Sequence, residues 1–115
     1  MCSSDLLGAD LLRLAEAAKN GKANPDDLTG GTFTITNLGA YGVEGFTPIV
    51  NPPEAAILGV GAIAKKPVVV GDQVLPREQM TLSLTFDHRV TDGAPAAAFL
   101  RRVREILESP YILLT

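Results

Sequence analysis

The chain has little of several residue types, and each scarcity excludes something. Of its 115 residues one is cysteine and one is histidine. A lone Cys2 gives neither a disulfide framework nor a thiolate metal cluster. It fits a reducing compartment, so a cytoplasmic location is expected. The single His88 joins no carboxylates at a recognised ligand spacing, and no metal is expected. Basic runs are absent and the formal net charge is -3, which argues against nucleic acid as a partner. No apolar run approaches the roughly 20 residues of a membrane span. The start, Met1-Cys2-Ser3-Ser4-Asp5-Leu6, lacks the charged and apolar regions of a secretory signal. The length allows one domain at most, with enough apolar content for a core but at the small end of what is comfortable.

What is present is patterned. From Leu6 to Asn20, residues Leu7, Leu11, Leu14, Ala15 and Ala18 share a helical face, with Arg13, Glu16 and Lys19 elsewhere on the surface; this predicts an amphipathic helix ending at Gly21. Asn24-Pro25-Asp26-Asp27-Leu28 reads as a cap, a proline at the first helical position and one short turn. Gly30-Gly31 breaks the chain before Thr32-Phe33-Thr34-Ile35-Thr36, a strand with Phe33 and Ile35 on one face and the threonines on the other. Plain strand propensity accounts for Thr32 and Thr34. The glycine-rich stretch from Asn37 to Phe46 has the spacing of neither a P-loop nor a dinucleotide fingerprint, and is expected to be a mobile loop. Three prolines between Thr47 and Pro53 predict a rigid extended or turn segment.

The run from Glu54 to Ile63 is apolar with small residues. It reads as a central strand covered on both faces, although periodicity alone leaves a helix open. Pro67 to Pro76 carries two strand-like runs around a Gly71-Asp72 turn, a β-hairpin. In Thr81 to Phe86 the alternation places Leu82, Leu84 and Phe86 on one face. Beyond Asp92, the stripe Ala96, Phe99, Leu100, Val103, Ile106 and Leu107 predicts a helix that Pro110 stops. Arg101, Arg102 and Arg104 fall mostly outside the stripe and read as a solvated face rather than as phosphate contacts. The tail Tyr111-Ile112-Leu113-Leu114-Thr115 is apolar.

Between the last strand and the last helix lies Thr85-Phe86-Asp87-His88-Arg89-Val90-Thr91-Asp92-Gly93. A histidine at a strand end, with Asp-Gly four residues on and a helix after it, is well placed to present an imidazole in a cleft. The residues alone leave two readings of each. His88 is a base or a satisfied imidazole near a strand end. Asp92 is an N-cap, accepting from the first backbone N–H groups of the helix, or a site residue; one side chain can serve both ends.

The order His88, three residues, Asp92-Gly93 within Ser83 to Gly93 resembles the active-site signature of the dihydrolipoyl acyltransferases. Gly30-Gly31-Thr32-Phe33-Thr34-Ile35-Thr36-Asn37-Leu38-Gly39 and Pro48-Ile49-Val50-Asn51-Pro52-Pro53-Glu54-Ala55-Ala56-Ile57-Leu58-Gly59-Val60-Gly61 are similar to the same family, in its order and spacing. These enzymes form the cores of 2-oxo acid dehydrogenase complexes, the pyruvate dehydrogenase complex included, and share the fold of chloramphenicol acetyltransferase. The likeness covers about Leu11 to Leu114 and fades before Leu7, so residues 1–5 read as a non-family start and 6–115 as the C-terminal half of the catalytic domain.

The resemblance implies an α+β two-layer sandwich of the α/β class, a mixed β-sheet covered by helices, here as a partial domain. It implies acyl transfer between coenzyme A and dihydrolipoamide carried on a separate lipoyl domain. His88 would be the general base, Thr36 the oxyanion donor, and Asp92 a residue holding the His88 loop through capping and salt-bridge contacts. The glycine-rich loop would lie near the acyl channel, and the proline-rich segment would line the site and a subunit contact. A homotrimer building a larger core is implied, with His88 of one chain facing Thr36 of the next, and the apolar tail at an interface. Dehydrogenase and dihydrolipoamide dehydrogenase components would be reached through domains outside this length. So would an arginine expected to pair with Asp92 and much of the coenzyme tunnel. Asp87, where chloramphenicol acetyltransferases carry a second histidine, and Asn51-Pro52-Pro53-Glu54 favour this reading over a free-standing acetyltransferase of that type. Retention of His88, Thr36 and Asp92 together argues against a purely structural assembly subunit.

Overall fold

The structure, a computed structural model, describes Ser3 to Leu114; Cys2, on which the compartment expectation rests, lies outside the described residues, as does Thr115. The chain divides into two compact units, Met1–Gly31 and Thr32–Thr115. In the first, helix α1 runs over Ser3–Lys19. It starts three residues before the predicted Leu6 and stops where glycine permits. Gly21 takes φ 65, its N–H donates to the Ala18 carbonyl at 3.2 Å, and the Lys22 N–H reaches back to Ala17 at 2.8 Å. This double closure satisfies carbonyls that the last turn leaves open. A short 3-10 turn follows at Pro25–Leu28, and Asn24 caps it by accepting from the Asp26 N–H at 3.1 Å, as the sequence predicts. Among the described residues no helix is long and apolar enough to cross a membrane.

The second unit is built on a three-stranded mixed sheet. Strand β1 (Thr34–Asn37) lies parallel to β2 (Ala56–Val60). A hairpin of β3 (Ala64–Val70) and β4 (Gln73–Gln79) forms a separate two-stranded sheet. The chain then returns as β5 (Leu82–Phe86), antiparallel to β2, so that β2 is central in the order β1-β2-β5. Helix α2 (Gly93–Glu108) follows and ends two residues before Pro110, and Pro110–Leu114 winds into a 3-10 turn. The hairpin turn is Gly71-Asp72: Gly71 has φ 62, and among the described residues only glycines have positive φ. A positive first position followed by a negative second has the φ signs of a type II′ turn, whose twist suits a two-residue hairpin.

Strand β2 is the centre of what core there is. Ile57 and Leu58 are 6% and 7% exposed and Ala96 of α2 is 6% exposed. Burying Ile57 and Leu58 contributes about 1.5–3 kcal/mol each, a small total for a chain of this length. Phe99 of α2 meets Phe33 with ring centroids 5.9 Å apart. On one face of β2, Gly59 lies under Phe46 and Pro48; a Cβ there would come within 3.0 Å of the Phe46 ring. Leu58 points to the opposite face, as neighbouring strand residues must. The arginines of α2 are held on its surface by glutamates one turn on, Arg101 and Arg102 by Glu105 and Arg104 by Glu108, which suits a solvated face.

Two expectations need correction. The central strand covers five residues rather than Glu54 to Ile63: Gly61 adds one last rung to β5 by donating to Thr81, and the chain then turns away, with the Ala62 N–H donating to Val43 and a Cβ on Gly61 set to overlap the Glu44 carbonyl. The glycine-rich loop is tied down rather than mobile. Leu38 donates to Val60, Ala62 donates to Val43, and Gly39–Tyr41 closes as a 3-10 turn. Alternation leaves the two faces of β1 equal, and the structure half-buries the threonine face while Ile35 is 67% exposed. Register explains this: Thr34, Thr36, Ser83 and Thr85 share the Ile57 and Gly59 face, which Phe46 and Pro48 cover at Gly59, whereas Ile35 stands on the other.

Candidate active site

The final strand ends by delivering a tight turn. The Asp87 N–H donates to the Ala55 carbonyl at 2.8 Å, extending the β2–β5 pairing by one rung. The Asp87 carbonyl then accepts from Val90 at 2.9 Å and Thr91 at 3.3 Å, folding residues 87–91 back on themselves. His88 sits in this turn with its side chain 72% exposed, its ring 5.5 Å from that of Phe86. It borders an open depression of about 900 Å³ lined also by Val50, Pro52, Pro53, Glu54 and Arg89. Pro52 and Pro53, joined by a cis peptide bond, form the turn predicted for that segment.

Asp92 departs from its capping role. It occupies the N-cap position of α2 with extended backbone, φ -93 and ψ 169, yet its carboxylate makes no cap hydrogen bond. Instead Oδ1 lies 3.6 Å from Nδ1 of His88. The carboxylate turned to the imidazole is unavailable to the helix. The pair is loose, since the Asp92 side chain is 84% exposed and exposed ion pairs contribute about 0–1 kcal/mol.

Thr36 and His88 are not brought together within the chain. Thr36 pairs with Gly59, and Gly59 with Ser83, so Thr36 lies at the end of the sheet where β5 begins. His88 follows the other end. Three residues of strand and two strand spacings put roughly 14 Å between the backbones of Thr36 and Phe86, with two further residues to His88. One carbonyl carbon cannot be served by both side chains of the same chain.

Two residues of this region do more than the sequence reading assigns them. Asp87, in the sequence only a residue standing where a second histidine could be, forms a closed clamp with Arg89. Its Oδ1 accepts from the Arg89 N–H at 2.9 Å and from Nε at 3.0 Å, and Oδ2 from Nη2 at 2.6 Å. The Arg89 guanidinium, and then its backbone N–H, hold the Asp87 carboxyl down to about 2, and the same contact raises Arg89. Both stay charged at any working pH. Asp-x-Arg spacing at a turn is the signal that points to the clamp. Glu54 is the other. It accepts from Oγ1 of Thr34 at 2.5 Å, so Thr34 has a specific partner beyond strand propensity.

Residues 4–115 match the family model described as 2-oxoacid dehydrogenases acyltransferase (catalytic domain). The chain belongs to this acyltransferase family. It is 54% identical over 100 residues to the dihydrolipoyllysine-residue acetyltransferase component of the acetoin cleaving system of Bacillus subtilis, across 87% of this chain and 25% of that protein. With the lipoamide acyltransferase component of the branched-chain alpha-keto acid dehydrogenase complex of Pseudomonas aeruginosa it shares 49% over 113 residues, 96% of this chain and 26% of the other. Among solved structures, the acyltransferase chain superposes on Azotobacter vinelandii dihydrolipoamide acetyltransferase with a TM-score of 0.91 at 44% identity, covering 96% of this chain and 45% of that one. That enzyme was studied for the roles of a serine, a histidine and an asparagine in its catalytic mechanism. The cubic core of the pyruvate dehydrogenase multienzyme complex matches with the same score and coverage. This acyltransferase-family chain therefore spans about a quarter of the curated relatives named here and 45% of each of these solved chains.

Proposed function

We propose that this acyltransferase-family chain moves an acyl group between the thiols of coenzyme A and dihydrolipoamide, as the C-terminal half of a catalytic domain. His88 is the general base, Thr36 the oxyanion donor, and Asp92 the residue beside the imidazole. One observation carries the assignment. In the Azotobacter enzyme the serine stands 52 residues before the histidine and the asparagine four after it; Thr36 stands 52 before His88 and Asp92 four after. The chemistry suits the first substitution, since threonine keeps the hydroxyl donor of serine.

A free thiol ionises near ~8.5, so at neutral pH it needs a base as it attacks a thioester. Nε2 of His88 takes the thiol proton, sulfur bonds to the carbonyl carbon, and the carbonyl electrons collect on oxygen. Thr36 donates to that oxyanion; a donor already in place supplies about 3 kcal/mol in comparable sites. Collapse restores the carbonyl, breaks the other carbon–sulfur bond, and returns the proton from His88 to the departing thiolate. No acyl-enzyme forms. The His88 depression is open and large enough to admit a thiol-bearing arm.

Because Thr36 and His88 lie at opposite ends of the sheet, the site is completed by a neighbouring copy, in a closed ring of three that builds a larger core. The half of the catalytic domain outside this length supplies the remaining coenzyme contacts, and dehydrogenase and dihydrolipoamide dehydrogenase components act with the assembly. A cytoplasmic location completes the reading.

The test is acyl transfer from acetyl-coenzyme A to dihydrolipoamide for the chain, for His88→Ala and for Thr36→Val, with size measured on the same samples. Both variants should lose at least a hundredfold. Mixed at equal amounts and reassembled, they should recover about a quarter of the wild-type rate, because one site in four then takes His88 from one variant and Thr36 from the other. A mixture as inactive as its components, in a folded ring, sinks the shared site.

A further inference from the structure

The imidazole of His88 is held by little of its own. Its ring packs near that of Phe86 at 5.5 Å and its ionic partner Asp92 lies 3.6 Å away, with both side chains of that pair largely in solvent. Its direction must therefore come from the backbone that carries it, and that backbone is organised by the residue before it. Asp87 bonds on both sides of His88. Its N–H ties back to Ala55, its carbonyl accepts from Val90 and Thr91, and its carboxylate accepts the Arg89 N–H and grips the Arg89 guanidinium. The carboxylate bond to a backbone N–H two residues on closes an Asx turn, and the fork of Arg89 locks that carboxylate in one rotamer. We propose that Asp87, clamped by Arg89, is the positioning residue of the site: it fixes the turn that aims the His88 imidazole, without touching substrate.

This inference rests on His88 being the base, and its test separates the two. His88 is the only histidine of the chain, so its ring signals in an NMR spectrum need no assignment. The samples are the full chain, Asp87→Ala, Asp87→Asn, Arg89→Ala, and Asp10→Asn as a control that breaks an exposed ion pair with Arg13 elsewhere. Three readouts are taken on each: the nuclear Overhauser signal between the His88 and Phe86 rings, the Ile57 and Leu58 methyl signals, and kcat and KM for acyl transfer. Expected for Asp87→Ala is disappearance of the Overhauser signal with core methyls unmoved, and a kcat at least tenfold lower with KM within about twofold. Asp87→Asn keeps an acceptor for the Arg89 N–H and should fall between, as should Arg89→Ala; Asp10→Asn should match the parent. If Asp87→Ala fails to fold, Asp87→Asn and Arg89→Ala decide. An Overhauser signal and a kcat that stay unchanged in the folded variants overturn the proposal even if His88→Ala is dead. If the Overhauser signal disappears in the Asp87 variants while His88→Ala transfers acyl groups as fast as the parent chain, the turn-fixing role of Asp87 stands and the base is refuted.

Discussion

Asp92→Asn separates a carboxylate that shapes the site from one that works in it. The structure gives Asp92 two possible roles and weakens both. As a cap it makes no side-chain hydrogen bond to α2, so the ~1 kcal/mol that a working N-cap contributes is absent, and asparagine would cap equally well in any case. As a partner of His88 it stands 3.6 Å away and 84% exposed, where an ion pair contributes about 0–1 kcal/mol. The upper limit corresponds to about fivefold in rate. Asp92→Asn should therefore leave the melting temperature within about 4 °C and lower kcat for dihydrolipoamide acylation by no more than about fivefold, with KM unchanged. Thermal unfolding and steady-state thioester formation on the same preparation measure both. A fall of thirtyfold or more in a folded variant would refute the reasoning, because it would require the negative charge itself to act on the imidazole or on a proton.

Two further outcomes follow from the geometry. Asp87 has its carboxyl lowered from 3.8 to about 2 by Arg89, so its contribution to stability is complete above pH ~4 and is lost as pH falls toward ~2. Urea midpoints measured from pH 7 to 2 should fall in that window, and Arg89→Ala should flatten that part of the curve; identical curves would dissolve the clamp. A Cβ on Gly61 would overlap the Glu44 carbonyl and come within 3.2 Å of the Thr81 carbonyl, both backbone, so Gly61→Ala should cost about 3 kcal/mol or more by denaturant unfolding. Gly45→Ala, whose nearest contact is a Thr81 methyl at 3.6 Å, should stay within about 0.5 kcal/mol; equal effects from the two would deny the close crossing at Gly61.

What the sequence determined by itself is what short stretches of chain decide. The close of α1 at Gly21, the Asn24 cap, the Gly71-Asp72 hairpin and the stop at Pro110 each follow from one residue's φ or from a side chain within a few positions, and all are found in place. The spacing of Thr36, His88 and Asp92 was legible too, as an order along the chain. Tertiary structure decided what alternation and spacing leave equal. Thr34 and Ile35 are equally good strand residues, and only tertiary packing half-buries the threonine side of β1 while leaving Ile35 67% exposed. Asp92 satisfies every local rule for a cap, but its carboxylate turns to His88, four residues away. The sheet order β1-β2-β5 sets Thr36 and His88 at opposite ends. Strand order and register arise from contacts between distant segments, and no local preference encodes them.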